Sequence, residues 1–384
     1  MTTRGSTSTL APRVLIYRDR LLPPSETFIL QQAEALRRFT PVYLGAQAVR
    51  GLPTPAERTF VVHPRDERSL AGVAFRLVGT APRLFRALER LQPQLVHAHF
   101  GPDGVQALGV ARRLRCPLVV TFHGYDVTVR DEYLQQSYTQ RRFLRCKFQL
   151  GERAGLLVAI SRFIRSAMIE RGFPENKIRV HYIGVDTERF KARSGQEREP
   201  IVLFVGRLVE KKGCGHLIRA MARVQARLPA VELVVIGDGP LRQELEAQAR
   251  TLGLRHRFLG VQAPENVQAW LERARVFSVP SIVGSSGDAE GLGIVFLEAQ
   301  AMGVPVVSFD TGGISEAVKH ERTGLLAPAH DDELLAEYLC RLLQDDAMWR
   351  AFSVAGRQHV TGNFDLATQT RQLEELYLEV LDRA

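Results

Sequence analysis

Short apolar runs that alternate with longer stretches of helical period constrain this chain more than any single motif does. RVLIYR (13–18), PVYLGA (41–46), QLVHAH (94–99), PLVVTFH (117–123), GLLVAI (155–160) and KIRVHYI (177–183) read as buried strands. Between them, ETFILQQAEALRRF and SLAGVAFRLVGTAPRLFRALERL repeat apolar residues at three and four, the spacing of a helix with one buried face. This order predicts an α/β chain whose parallel sheet is covered on both faces. DTERFKARSGQEREP (186–200) interrupts the pattern with charge and reads as a linker. The alternation restarts with PIVLFVGR (200–207), VELVVIGDG (231–239), HRFLG (256–260), ARVFSVPS (274–281) and VPVVSFD (304–310). Two doubly wound units are therefore expected, 1–187 and 188–365, facing each other across a cleft, with a closing helix over 366–384 free to pack back on the first. In open parallel sheets ligands sit at the carboxyl ends of the strands, so function is sought just after each strand.

Bulk properties agree with two units, since 384 residues exceed what one hydrophobic core organises. Cys116, Cys146, Cys214 and Cys340 lie far apart with no Cys-x-x-Cys pair, which argues against zinc and secretion and for a reducing cytoplasm. MTTRGSTSTLAPR has no signal-peptide core, and no run of apolar residues is long enough to span a bilayer. Charge is unevenly spread: residues 1–187 hold 28 Lys+Arg against 15 Asp+Glu, whereas 188–384 hold 23 against 27. Such asymmetry fits a phosphorylated substrate or an acidic membrane surface facing the first half, and equally an arginine-rich soluble surface. No nucleic-acid partner is expected.

The second half carries the richer constellations. In FVGRLVEKKGCGHL (204–217), Gly206 permits a tight strand exit, Arg207 emerges at the strand tip and Lys212 precedes a helix start at Gly213. Two cations and a helix N-terminus suit a diphosphate; a plain surface pair is the alternative. IGDGPLRQEL (236–245) has Arg242 where a dinucleotide fingerprint needs a third glycine, so Gly237 and Gly239 read as a plain turn. PSIVGSSGDAEGLG (280–293) is a polar loop before the helical IVFLEAQAMG, which puts Glu290 in a loop and Glu298 on a helix. The N–H groups of Gly291, Leu292 and Gly293 are then available to hydroxyls or phosphate, and each glutamate can grip vicinal hydroxyls. Alternatively Glu298 favours the helix dipole and Glu290 caps it. In FDTGGISEAV (309–318), Gly312 and Gly313 are expected to approach a ligand backbone-first, and Glu316 to be structural.

In the first half TFHGYDV (121–127) ends a strand with His123, for which Asp126 supplies a partner. HAHFG (97–101) sets His97 and His99 on one strand face, but no third ligand of the required type lies nearby, so no metal is expected. LLPPSETFILQQ (21–32) carries a capping signature, Ser25 before Glu26 and Thr27, on a loop that should floor the cleft. Ser25, Glu26, His99 and Asp126 are thus acceptor-side candidates. RRFLRCKFQLGER (141–153) is a basic, aromatic-spaced helix, either a solvated face or a contact for anionic lipid.

GRLVEKKG, EGLGIVFLEAQAMGVPVV, TGGISEAV and AISRFIRSAMIERGFPENKIRVHYIGVDTERF, in this order along nearly the whole chain, resemble glycosyltransferase family 4, retaining enzymes of the GT-B fold with two Rossmann-like domains. PPSETFI, HAHFG, TFHGYD and SSGDAEG resemble its exopolysaccharide branch, including colanic-acid-type transferases. The resemblance implies that Arg207 and Lys212 hold the donor diphosphate in place of a metal ion. It implies that Glu290 contacts the transferred sugar and Glu298 the ribose, and that His123 lies near the reacting centre. The implied donor is a sugar nucleotide, UDP-hexose before GDP-mannose. The implied acceptor is a glycan carried on a lipid such as undecaprenyl diphosphate, reached from the cytoplasm at the membrane surface. Many family members carry a Gly-Gly loop after the first strand, where this chain has Leu-Leu-Pro-Pro-Ser-Glu. Two other functions fit the same pattern in outline: a GT-B sugar-nucleotide epimerase or phosphorylase, and a non-enzymatic anion-binding module.

Overall fold

The computed structural model describes residues 11–63, 72, 75, 81–192 and 197–384. Its strands are β1 (Arg13–Arg20), β2 (Thr40–Gln47), β3 (Thr59–His63), β4 (Leu95–His99), β5 (Leu118–Phe122), β6 (Leu156–Ala159), β7 (Ile178–Val180), β8 (Glu199–Val205), β9 (Glu232–Ile236), β10 (His256–Phe258), β11 (Ala274–Ser278), β12 (Val306–Phe309) and β13 (Gly324–Ala327). They form two wholly parallel sheets, ordered β3-β2-β1-β4-β5-β6-β7 and β10-β9-β8-β11-β12-β13. Each sheet changes winding direction beside its first strand, between β1 and β4 and between β8 and β11. The crevice outside those carboxyl ends is where such sheets hold ligands.

Every strand expected from the sequence is present, although KIRVHYI and HRFLG pair over only three residues each. β3 and β13 were not anticipated. Thr59–His63 is a half-buried edge strand, and Gly324–Ala327 is a four-residue buried run, so neither carries a clear period. The helix expected over SLAGVAFRLVGTAPRLFRALERL is seen as Pro82–Leu91, and most of its first half lies outside the described residues.

The charged linker is not loose over its first part. Phe190 is buried, and the Arg357 guanidinium donates to the Phe190 and Thr187 carbonyls. Residues 193–196 lie outside the described part. The helix Leu366–Asp382 packs on the first sheet, where Leu373, Tyr377 and Val380 join Val14, Ile16, Val119 and Val158 in one core. Glu374 accepts the Arg37 and Arg38 N–H groups at 2.8 and 2.6 Å, and the Tyr377 hydroxyl lies 2.6 Å from His97 Nδ1. Among the described residues no helix is long and apolar enough to cross a membrane.

Candidate active site

The carboxyl ends of both sheets open on one cavity of about 640 Å³. β8 ends at Val205, Arg207 stands just beyond Gly206 on the cavity wall, and a single 3₁₀ turn, Glu210–Lys212, leads to the helix Cys214–Arg227. Gly213 begins that helix at φ 65°, and a Cβ there would sit 1.8 Å from the Pro280 carbonyl oxygen. Only glycine fits this close crossing. Gly239 packs in the same way, its Cβ position 2.4 Å from the Leu208 carbonyl oxygen, as a plain turn requires.

Three successive side chains of the turn grip the polar loop that follows β11. Glu210 accepts the Ser285 N–H at 3.0 Å and its hydroxyl at 2.7 Å, Lys211 Nζ meets Asp288 Oδ1 at 2.9 Å, and Lys212 pairs with Glu290. Burial alone would push the Glu290 carboxyl up, but Lys212, Lys211 and Arg207 outweigh it and hold the group below the usual carboxylate range. Glu290 is therefore ionised and does not cap the next helix, Ile294–Ala301, whose N-cap is Gly293. Glu298, on the second turn of that helix, has the opposite environment: burial raises its carboxyl to about 7, offset in part by Arg189. Among the described residues the N–H groups of Gly291, Leu292 and Gly293 have no hydrogen-bond partner.

Gly312 and Gly313 do not face the cavity as expected. Cβ atoms there would lie 2.3 Å from the Glu290 carbonyl oxygen and 2.1 Å from that of Gly291. Their lack of side chains lets the Glu290 loop lie flat on the turn after β12, where the Gly313 N–H reaches the Glu290 carbonyl at 2.8 Å. Glu316 is structural, as expected: it accepts the Arg162 and Phe163 N–H groups, both at 2.9 Å, and the Tyr182 hydroxyl at 2.8 Å. It thereby joins the second sheet's helices to the first sheet's.

On the first sheet's side the sequence expectations need three corrections. Ser25 caps nothing; it lies in a 3₁₀ turn, Pro24–Glu26, and the helix Thr27–Glu34 starts without a side-chain cap. Glu26 lines the cavity but turns its carboxylate to Arg18, with contacts of 2.8 and 2.5 Å. Asp126 does not pair with the His123 ring. Its fully buried carboxylate accepts the Gly101 and Gly124 N–H groups, each at 2.9 Å, tying the helix Gly101–Leu114 to the turn after β5. Burial raises it to about 6 against the pull of those N–H groups.

Arg18 was not anticipated, because its role depends on partners remote in sequence. Its buried guanidinium spans Glu26 and Asp103, donates to the His99 carbonyl at 3.2 Å and lies 4.4 Å from the centre of the Phe100 ring. Phe100 itself sits at φ 73°, ψ 142°, a conformation that costs a bulky residue on the order of 1–3 kcal/mol and is concentrated at functional sites. That twist sets its ring 4.5 Å from that of His123, tilted by 42°, while the His123 carbonyl oxygen lies 2.4 Å from where a Gly291 Cβ would be. Of the four acceptor-side candidates, only Ser25 is exposed; Glu26, His99 and Asp126 face inward. Lys211 and Asp288 line the cavity and were missed, though the run Glu-Lys-Lys opposite Ser, Asp and Glu was there to be matched.

Comparison with known proteins agrees with this geometry. Residues 186–359 match the family described as Glycosyl transferases group 1, and residues 25–189 match Glycosyltransferase Family 4. The chain is 33% identical over 284 residues to the amylovoran biosynthesis glycosyltransferase AmsK of Erwinia amylovora, covering 72% of this chain and 68% of that one. It is 34% identical over 291 residues to the putative colanic acid biosynthesis glycosyltransferase WcaL of Salmonella typhimurium, covering 73% and 69%. A GDP-mannose-dependent alpha-(1-6)-phosphatidylinositol monomannoside mannosyltransferase of Mycolicibacterium smegmatis is 34% identical over 242 residues, covering 59% and 63%. Anabaena HepE, solved in complex with UDP and glucose, superposes with a TM-score of 0.76 at 22% identity over 96% of this chain and all of that one, a likeness of fold. With cations, glutamates and glycine turns meeting between two parallel sheets of the GT-B type, the chain belongs to glycosyltransferase family 4 and is a glycosyltransferase.

Proposed function

We propose that the chain is a retaining hexosyltransferase that moves a hexose from UDP-hexose to a glycan on a lipid carrier of the undecaprenyl diphosphate type, in surface-polysaccharide assembly. Residues 1–187 would hold the acceptor and 188–365 the donor. The observation that carries this reading is the convergence of Arg207, Lys212, Glu290 and Glu298 on one cavity, with the amides of 291–293 beside them. Arg207, Lys212 and the start of the helix Cys214–Arg227 take the negative charge of the departing diphosphate, work that preorganised cations do well in a site shielded from water. Glu290, ionised, reads hydroxyls of the hexose, and Glu298 reads the ribose. The departing phosphate oxygen takes the proton of the attacking acceptor hydroxyl on the same face, so configuration is kept and no nucleophilic carboxylate is required. The His123 carbonyl, beside Gly291, faces the positive charge that develops on the sugar. The likeness to AmsK and WcaL, named for amylovoran and colanic acid biosynthesis, supports the pathway; the UDP and glucose of HepE support the donor.

A melting-temperature screen against UDP-glucose, GDP-mannose and ADP-glucose tests the donor. A ligand present at 100 times its Kd adds about 2.7 kcal/mol to the folded state. UDP-glucose is expected to raise the melting temperature and to release UDP with acceptor present. A shift with GDP-mannose alone would replace the donor. Turnover without any acceptor would indicate an epimerase or phosphorylase, and the absence of both shift and turnover would leave an anion-binding module.

The acceptor reading places a cytoplasmic enzyme on the inner face of the membrane. On the helix Tyr138–Arg153, Arg141 and Arg145 are exposed beside Phe148, which is 59% exposed with Lys147 Nζ 5.2 Å above its ring. Basic residues at an anionic surface contribute about 1 kcal/mol each, and 1 M salt cuts the screening length to about 3 Å. The protein should therefore sediment with phosphatidylglycerol vesicles at low salt and be released at 1 M. Failure to sediment at low salt would remove membrane contact from the proposal.

A further inference from the structure

We infer that His99 is a positioning residue for the transfer: it fixes which ring nitrogen of His123 carries the proton, and so what the other nitrogen offers the hexose. The inference rests on the proposed place of His123 beside the sugar. His99 is the last residue of β4 and His123 follows β5, its parallel neighbour, so the sheet itself brings the rings together. They stack 5.3 Å apart at 28°, with His99 Nδ1 3.0 Å from His123 Nε2. His97, its ring 4.3 Å from that of His99 and tilted by 33°, has both nitrogens engaged, by the Tyr377 hydroxyl at 2.6 Å and the Thr121 hydroxyl at 2.7 Å. His123 is therefore the imidazole partner of His99. The third neighbour, Arg18, is charged and touches the His99 carbonyl.

Burial first, then the neighbouring histidines and Arg18, hold the His99 and His123 rings well below the usual histidine range, so both are neutral. A neutral pair has one proton to place between the two facing nitrogens. If His99 donates, His123 carries its own proton on Nδ1 and offers a donor; if His123 donates, its Nδ1 offers a lone pair. Among the described residues that Nδ1 is buried without a partner, on a residue that lines the cavity. An orphaned buried ring nitrogen beside a substrate cavity is a group awaiting a hydroxyl. Phe100, forced to positive φ, is wedged between Arg18 and His123 and keeps the His123 ring from turning away from His99.

The test compares variants by release of nucleoside diphosphate from UDP-glucose, or from GDP-mannose if that donor stabilises the fold. Asparagine puts an amide where His99 has Nδ1, whereas glutamine puts one where His99 has Nε2. His99→Asn is expected to keep kcat within about 10-fold, and His99→Gln and His99→Leu to lower it by about 10²-fold with KM little changed, as for a misaligned reacting group. The double variant His99→Leu with His123→Ala should be no slower than His123→Ala alone, since His99 acts through His123. Equal losses in Asn and Gln variants, or additive losses in the double variant, would overturn the inference while leaving the place of His123 intact. Undiminished turnover in His123→Ala would overturn the inference by showing that the ring offers the hexose nothing, while leaving the His123 carbonyl, which alanine keeps, in its proposed place.

Discussion

Lys212→Ala is expected to lower turnover by on the order of 10²- to 10³-fold, the usual effect of removing one preorganised electrostatic stabiliser. The substitution acts twice. On the proposed mechanism it takes a cation from the diphosphate, and it releases Glu290, whose carboxylate is held by Lys212. Lys211 and Arg207 remain within electrostatic reach of Glu290, so the loop keeps part of its anchoring and the protein should fold. The loss should therefore appear in kcat more than in the melting temperature. Excess EDTA should leave the activity of the unsubstituted protein unchanged if the cations alone serve the leaving group. Near-normal turnover in Lys212→Ala, or a loss in EDTA that magnesium restores, would defeat the clamp.

Arg18→Met is expected to destabilise the fold by about 3–5 kcal/mol, because it strands Glu26 and Asp103 as uncompensated buried carboxylates. In a chain of 384 residues, at about 2.1 cal/mol/K of unfolding entropy per residue, that is a fall of roughly 4–6 °C in melting temperature. The effect depends on pH, and the sign follows from Asp103. Burial already raises that carboxyl from 3.8 to about 6, partly opposed by Arg18. A carboxyl whose folded-state value is raised favours the folded state while protonated and loses that contribution as pH rises past its unfolded value. Without Arg18 the value rises further, so the defect should be largest near pH 7.5 and shrink toward pH 5 as Asp103 takes up a proton. Melting curves of both proteins at the two pH values decide the matter; a difference under about 1 kcal/mol at pH 7.5 would show that the triad is not holding the loop.

The same residues mark how far the sequence could be read. Apolar runs such as VLFV and LVVI announce their own strands because burial on both faces leaves them nothing polar to show. Glu290 and Glu298 could be placed apart because glycines end one element and a helical period begins the next. Partner choice was harder. Arg18 reaches Asp103 across 85 positions, and Lys211 reaches Asp288 across 77; neither pairing leaves a local period. Asp126 had a histidine three residues before it, yet the unpaired backbone N–H groups of Gly101 and Gly124 claimed its carboxylate. The helix start at Thr27 lost its expected cap because the adjacent Glu26 is drawn to Arg18.

The loop that carries Glu290 is held from both sides. Its own sheet supports it through Gly312 and Gly313, whereas the first sheet's elements reach it through the Ser161 hydroxyl on the Gly291 carbonyl at 2.6 Å and the Arg130 N–H on the Ser286 carbonyl at 2.9 Å. Glu316 returns the contact to the helix that begins after Ser161. The halves are consequently not interchangeable cassettes. A graft of the second unit from a relative inherits the counterpart of Glu290 on a seat partly built by the host, and a chimera keeps its alignment only if Arg130, Ser161 and their counterparts travel together.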